Sequence, residues 1–366
     1  MEVYFFYQVE CASKSNRFLS AEITSTDRKT TFVKRSRIMS LKMGIMSFAH
    51  LHAYSYASAI NCMDITEFVG IADDNLDRAK EMAQRHHTRY FGTYEELLKE
   101  VDAVVITSEN TRHRKLAELA ARNGKHILCE KPLATTPEDA KAMIDVCVEN
   151  GVQLMTSFPC RYSPAMRQIR REYHQGRIGK ALAIRGTNRG RCPFGWFTNI
   201  RLSGGGSLMD HTVHVTDLMR WLLQSEVKSV YAQTSNGMFH DSFEDCALLT
   251  MEFDNGVFAT LDSSWSRPKS FPTWGDVTLS VVGEKGILNM DMFSQNLIHY
   301  NDADNGAHWH SWGVNFDLEM IKAFVNAIMR GENVPITGLD GLRAVEVVEA
   351  GYASASMGKP IAPRKL

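Results

Sequence analysis

The sequence predicts an α/β plus α+β protein. Its first part is a doubly wound parallel sheet, and its second an open, mostly antiparallel sheet with helices on one face. Three observations carry this. Short apolar runs alternate with amphipathic stretches from Met43 to Phe158, as parallel strands do when helices cover both faces of their sheet. Strand-like runs separated by turns such as "DNG" and "GEKG" then replace that alternation. A chain of 366 residues also supplies enough apolar side chains for two cores.

Taken in order, "MGIMS" reads as the first strand and Ala53–Ile60 as a helix. Phe68–Asp74 is a second strand, and Asn75–His86 a charged amphipathic helix. A short "RYF", a helix at Tyr94–Glu100 and the apolar strand Asp102–Ser108 follow. The stretch "TRHRKLAELAARNG" predicts a helix closed by Gly124, and His126–Glu130 a further strand. Pro137 opens a helix that stops at Gly151, as proline-first and glycine-last helices do. Val152–Phe158 is then the last strand of the first sheet. Helices at Pro164–Gln175 and Leu208–Leu223 precede the strand runs "VKSVYAQTS", "DCALLTMEF", "VFATLDSSW", "VTLSVVG" and "GILNMDM". Two helices, Asn315–Arg330 and Leu339–Met357, close the chain.

A net charge of −1 gives no electrostatic reason to expect a nucleic acid or a membrane surface as partner. No apolar run approaches the ~18–20 residues needed to span a bilayer. The seven cysteines are scattered without a CxxC pair, which argues against a structural zinc site and a disulfide framework and points to a cytoplasmic protein. Residues 1–42 differ from the rest, with eight Lys/Arg against four Asp/Glu and no sustained amphipathic period. They are expected to be an extension outside the core fold, with a first domain at 43–160 and a second at 161–366.

Ligands of doubly wound sheets bind beyond the carboxyl ends of the strands. After the first strand stand Ser47, Phe48, Ala49 and His50, where a dinucleotide-binding turn carries glycines. Asp73 ends the second strand and is placed to accept hydrogen bonds from a ribose and repel a 2′-phosphate, favouring NAD over NADP. It is equally a residue that caps the following helix. After the fifth strand, Glu130-Lys131-Pro132 projects a charged pair, readable as cleft residues or as a surface ion pair. In "SGGGSLMDHTVHVTDLMRWLL" three glycines let the backbone approach something closely. Asp210 and His214 lie four residues apart, on one helix face and about 6 Å from each other. Such a carboxylate can hold an imidazole as a proton acceptor; the alternatives are a helix-start aspartate with a core histidine, or a metal site using His211 and His214. No further His/Cys group has metal-like spacing, and no metal is expected.

Together, "GKHILCEKPLA", "FPCRYSPAMRQIRREYHQGRIGKALAIRG", "SGGGSLMDHTVHVTDLMRWL" and the stretch from Ala323 to Ile361 resemble the glucose–fructose oxidoreductase/inositol dehydrogenase/rhizopine-catabolism (Gfo/Idh/MocA) family, from about Met43 to the C-terminus. The resemblance implies a Rossmann-type first domain, a substrate-binding and oligomerisation second domain, a nicotinamide cofactor, and a sugar or polyol substrate. It implies that Lys131 lies beside the nicotinamide, that His214 is the general base, and that Asp210 orients His214 and the substrate. It places Asn110 and His113 near the nicotinamide end and Glu130 near its ribose, and Ser108 is a further cofactor-binding candidate. Arg161, Tyr162, Asn188, Arg189 and Trp196 are candidate substrate contacts. The second sheet is expected to mediate a homodimer or homotetramer. The glycine-free turn departs from the family pattern, which leaves a non-catalytic, ligand-sensing relative as the alternative.

Overall fold

The computed structural model describes residues 40–294, 296–301, 306–311 and 313–366. Residues 1–39, most of the expected extension, lie outside the described residues. The first strand opens at Leu41, two residues before the expected start of the domain.

Six parallel strands form the first sheet, in the order β3-β2-β1-β4-β5-β6. They are β1 (Leu41–Met46), β2 (Thr66–Ala72), β3 (Arg89–Phe91), β4 (Ala103–Ile106), β5 (His126–Cys129) and β6 (Leu154–Thr156). Helices α1 (His52–Cys62), α2 (Leu76–Arg85), α3 (Tyr94–Leu98), α4 (His113–Arg122) and α5 (Pro137–Glu149) connect them. Every residue of β4 is buried, as a central strand covered on both faces requires. Side-chain caps from Asn75, Thr93 and Thr136 start α2, α3 and α5 and satisfy amides that have no partner inside the helix. Because β2 lies on one side of β1 and β4 on the other, the connections diverge there and leave a crevice at the ends of these strands.

Beyond α6 (Pro164–His174), the second sheet runs β12-β11-β7-β10-β9-β8. Its strands are β7 (Ala181–Thr187), β8 (Val227–Ser235), β9 (Cys246–Phe253), β10 (Phe258–Asp262), β11 (Thr278–Gly283) and β12 (Gly286–Asp291). All pairs are antiparallel except β7–β10. The short α7 (Ile200–Ser203) and the long α8 (Ser207–Leu223) leave β7, and the chain returns to the sheet at β8. Every residue of α8 except Trp221 is buried, so its polar side chains must find partners inside the protein. A hairpin, β13 (Asn296–Asn301) with β14 (Gly306–Ser311), follows where no strands were expected; its sequence has few apolar positions to betray it.

Helices α9 (Phe316–Arg330) and α10 (Gly338–Met357) belong to both halves, because α9 packs on α1 and α10 on α5 as well as on α8. Thr337 and Asp340 form a capping box at the start of α10, and Thr337 bridges to Met155 of β6. A Cβ at Gly341 would meet Leu133 at 2.8 Å, so the helix needs glycine to sit this close to the first domain. A division at residue 160 therefore separates the two sheets but not the two cores.

Candidate active site

The turn after β1 replaces glycine with a closed set of hydrogen bonds. Ser47 carries a φ of +75°, a conformation few non-glycine residues adopt. Its main-chain N–H donates to the Ala72 carbonyl at 2.7 Å, and the His50 N–H to the Thr107 carbonyl at 3.0 Å. The Phe48 N–H donates to Asp73 Oδ2 at 2.6 Å, and the Ala49 N–H to Ser47 Oγ at 3.2 Å. Phe48 is buried and packs against Tyr54 and His86. The main-chain amides of Ser47, Phe48, Ala49 and His50 are thus engaged with the protein.

Asp73 is equally engaged. Its carboxylate also accepts from the Asn75 N–H at 2.8 Å and, bidentately, from Arg78 Nε at 2.8 Å and Nη2 at 2.7 Å. The expected ribose acceptor is held by a guanidinium before any ligand arrives, and it also anchors the turn through Phe48.

The loop after β4 carries Ser108, Asn110 and His113. Ser108 is fully buried, and its hydroxyl donates to the Glu109 carbonyl at 3.1 Å. Asn110 donates from Nδ2 to the Ser203 carbonyl at 2.8 Å, while its Oδ1 is buried without a partner. His113 is fully buried, with Nδ1 3.0 Å from the Pro132 carbonyl and Nε2 3.2 Å from the Ser108 carbonyl. It pins this loop to the Glu130–Pro132 segment rather than facing the crevice.

Glu130 and Lys131 follow β5 and diverge. Tyr56 donates to Glu130 Oε2 at 2.7 Å, and His52 Nδ1 lies 3.1 Å from Oε1. His50 Nε2 lies 4.0 Å from the same oxygen. Burial opposes ionisation of Glu130, but His52 and His50 outweigh it and hold the carboxyl well below its usual range. Lys131 points the other way: its Nζ lies 2.7 Å from Asp210 Oδ1 and 3.3 Å from the Asp210 carbonyl.

Helix α8 brings the second domain's share. Burial opposes ionisation of Asp210, yet Lys131 and His211 prevail and hold its carboxyl well below the ordinary value. Its Oδ2 accepts from Trp265 Nε1 at 3.2 Å and lies 3.2 Å from His211 Nε2. The expected contact from Asp210 to His214 is not made, because Lys131, Trp265 and His211 take both oxygens. His214 is placed instead by Phe158 and by Cys160, whose Sγ lies 3.9 Å from Nδ1. Burial, and then the charge of Lys131, push the His214 imidazole well below its ordinary pKa. It is neutral at physiological pH and able to take a proton.

The three glycines before α8 serve the protein itself. A Cβ at Gly206 would collide with the Glu244 carbonyl, and one at Gly205 with the Tyr352 hydroxyl. Glu244 Oε1 accepts from the Gly206 N–H at 2.8 Å and the Leu208 N–H at 3.1 Å, so it caps α8 from β9's approach.

The substrate candidates divide. Arg161 is buried and bidentate on Asp217 at 2.6 and 2.7 Å, with Asp340 at 2.9 Å, so it holds α8 and α10 together rather than reaching a ligand. Arg189 is paired with Asp276 at 2.8 Å. Tyr162 is buried beneath the Arg167 guanidinium. Trp196 donates from Nε1 to the Ala49 carbonyl at 3.0 Å, closing over the first turn. Asn188 alone keeps a buried acceptor, Oδ1, without a partner. Sequence reasoning missed Trp265, Cys160 and Tyr56. Only Tyr56 had a signal, lying one helical turn beyond His52.

The residues present are compatible with a nicotinamide group, since the Lys131 ammonium and the buried, unpartnered Asn110 Oδ1 supply a donor and an acceptor; the turn's own hydrogen bonds replace the glycine pattern. Residues 43–158 match the oxidoreductase family described by an NAD-binding Rossmann fold, and residues 166–289 match the GFO/IDH/MocA C-terminal domain. Myo-inositol 2-dehydrogenase of Thermotoga maritima is 26% identical over 327 residues, covering 86% of this chain and 95% of its own. D-glucoside 3-dehydrogenase of Escherichia coli is 28% identical over 352 residues, covering 87% and 96%. The crystal structure of GenD2 from gentamicin A biosynthesis in complex with NAD superposes with a TM-score of 0.83 at 22% identity, over 93% of this chain and all of that one, which is a likeness of fold. Among the described residues no helix is long and apolar enough to cross a membrane. With both of its domains matched, the chain belongs to the Gfo/Idh/MocA oxidoreductase family.

Proposed function

We propose that the protein is an NAD-dependent dehydrogenase that oxidises a CH–OH group of a sugar, a polyol or a derivative of one. The observation that carries this is the meeting of Lys131 from the first domain with Asp210 from α8, at 2.7 Å and with both nearly buried, one helical turn from a neutral His214. Lys131 offers a charged donor to the reacting hydroxyl oxygen, and Asp210 fixes that ammonium. His214 accepts the hydroxyl proton on Nε2, the ring nitrogen that makes no hydrogen bond to the protein among the described residues. A bound nicotinamide supplies the hydride acceptor. A purely ligand-sensing relative has no chemical need for this acid–base set, and only the altered turn spoke for one.

NAD is the preferred form because Asp73 and Asp74 directly follow β2. NADP is the second reading, since Arg78 on Asp73 is a group suited to a 2′-phosphate. Calorimetry with both dinucleotides, for the wild type and Arg78→Ala, separates the two. A homodimer or homotetramer through the outer face of the second sheet belongs to the same proposal, as does a cytoplasmic setting, supported by seven cysteines scattered without a CxxC pair.

The test is turnover of inositols, aldoses and glucosides with NAD by the wild type and Lys131→Ala. Oxidation of at least one by the wild type, lost in the variant, is expected. No turnover, or equal rates in both, overturns the proposal.

A further inference from the structure

The crevice holds a second constellation that the dehydrogenase chemistry does not use. His50 from the turn, His52 at the start of α1 and Glu130 just after β5 each bring one ligand atom into a group whose members lie within 4.8 Å of one another. We propose that His50, His52 and Glu130 bind one divalent transition-metal ion at the N-terminal end of α1.

Four features make this a built site rather than a chance cluster. His50 is 3% exposed, and its Nε2 is buried without a hydrogen-bond partner while lying 4.0 Å from Glu130 Oε1. The ring is wedged against Trp196 and Phe197, which fix its orientation. Glu130 Oε2 accepts from Tyr56 at 2.7 Å, which leaves Oε1 as the ligand oxygen, oriented from behind as outer partners orient metal ligands. His52 Nδ1 lies 3.1 Å from that same Oε1, so the second imidazole already faces the ligand oxygen.

The donor set names the class of ion. Two imidazole nitrogens and one carboxylate oxygen suit zinc, manganese or iron in the divalent state, and leave positions open for oxygen ligands. Calcium and magnesium prefer all-oxygen shells. Donors now 3.1 and 4.0 Å from Glu130 Oε1 need only side-chain adjustment to meet an ion at about 2.0–2.2 Å. Coordination through His50 Nε2 puts that ring's proton on Nδ1 and displaces one neutral hydrogen bond, now made by the His52 N–H at 3.1 Å.

The test needs neither dinucleotide nor substrate, so its outcome is independent of the dehydrogenase reading. Tag-free protein, stripped with chelator and dialysed, is titrated calorimetrically with zinc chloride, manganese chloride and cobalt chloride; the cobalt form is also read by its visible d–d absorption. One equivalent is expected to bind, with His50→Phe and Glu130→Gln each weakening it at least about 100-fold, since outer-shell changes alone cost 10–100-fold. His50→Phe keeps the ring packing and remains informative if Glu130→Gln fails to fold. His86→Gln, outside the cluster, is expected to bind as the wild type does. Absence of binding by the wild type, or binding unchanged in His50→Phe, overturns the proposal.

Discussion

At the scale of single residues, the proposed chemistry rests on an ion pair and a neutral imidazole, all three side chains buried. Lys131 and Asp210 neutralise each other at 2.7 Å, while His214 stays neutral because burial and the Lys131 charge both disfavour its cation. His214→Asn is therefore expected to lower kcat by about 10²–10⁴, with dinucleotide affinity, measured by calorimetry, unchanged. The pH profile carries the same sign. The base works when unprotonated, and its pKa lies below the ordinary 6.5, so the acid-side fall of kcat/KM is expected below that pH. A fall centred at or above 6.5 would assign the base elsewhere. The meeting of Lys131 with Asp210 was legible because a charged pair before proline and a D-x-x-x-H helix are short local patterns. Arg161 was misread because its partners, Asp217 and Asp340, lie 56 and 179 residues away, and a single sequence does not show which carboxylate an arginine will find.

At the scale of elements, the first turn and the start of α8 solve similar problems by different means. The turn does without glycine because Ser47 accepts a positive φ and Asp73 satisfies the Phe48 amide. The α8 start cannot, since the Glu244 carbonyl occupies the space of any Gly206 Cβ. Gly206→Ala is expected to destabilise the protein by about 1–3 kcal/mol, read by urea denaturation, and to shift Asp210 away from Lys131. Wild-type stability there would contradict the packing. Beside the turn, His86 packs on Phe48, Tyr54 and Phe68. Burial, then Arg85 and His87, lower its pKa to about 4 from 6.5. As pH falls, the unfolded chain takes this proton first, so stability is lost from about 6.5 downward to about 4. Between pH 7 and 4.5, His86→Gln is expected to lose about 1–2 kcal/mol less than the wild type, allowing for solvent screening. The strands and helices flanking both places were visible as periodic apolar runs. What fills the turn was not, because Phe48 reads as an obstacle to a ligand until its pocket is seen.

At the scale of the whole molecule, the second sheet turns one face to α8 and α10 and leaves the other outward. That outer face forms a concavity of about 1000 Å³ lined by residues such as Arg185, Tyr231, Thr250 and Thr260. Leu248 is 54% exposed and Phe258 57% exposed on the same face, a cost that a second copy would remove. Light scattering is expected to give a dimer or tetramer for the wild type and a smaller species for Leu248→Asp/Phe258→Asp; a monomeric wild type would contradict this. Alternation of apolar and polar residues made the open sheet legible. The way α9 and α10 return to the first domain was not, because Gly341 and Thr337 act through contacts with Leu133 and Met155 made only once the chain has folded.

These scales converge on one crevice, where β1 and β4 end and α8 begins. The most direct measurement is a crystal structure of the protein with NAD and a polyol that it oxidises. One polyol hydroxyl oxygen is expected within about 3.2 Å of both Lys131 Nζ and His214 Nε2, with the nicotinamide ring against the carbon that bears it. A polyol oxygen bound away from Lys131 and His214, or a dinucleotide lying outside the crevice, would contradict the assignment.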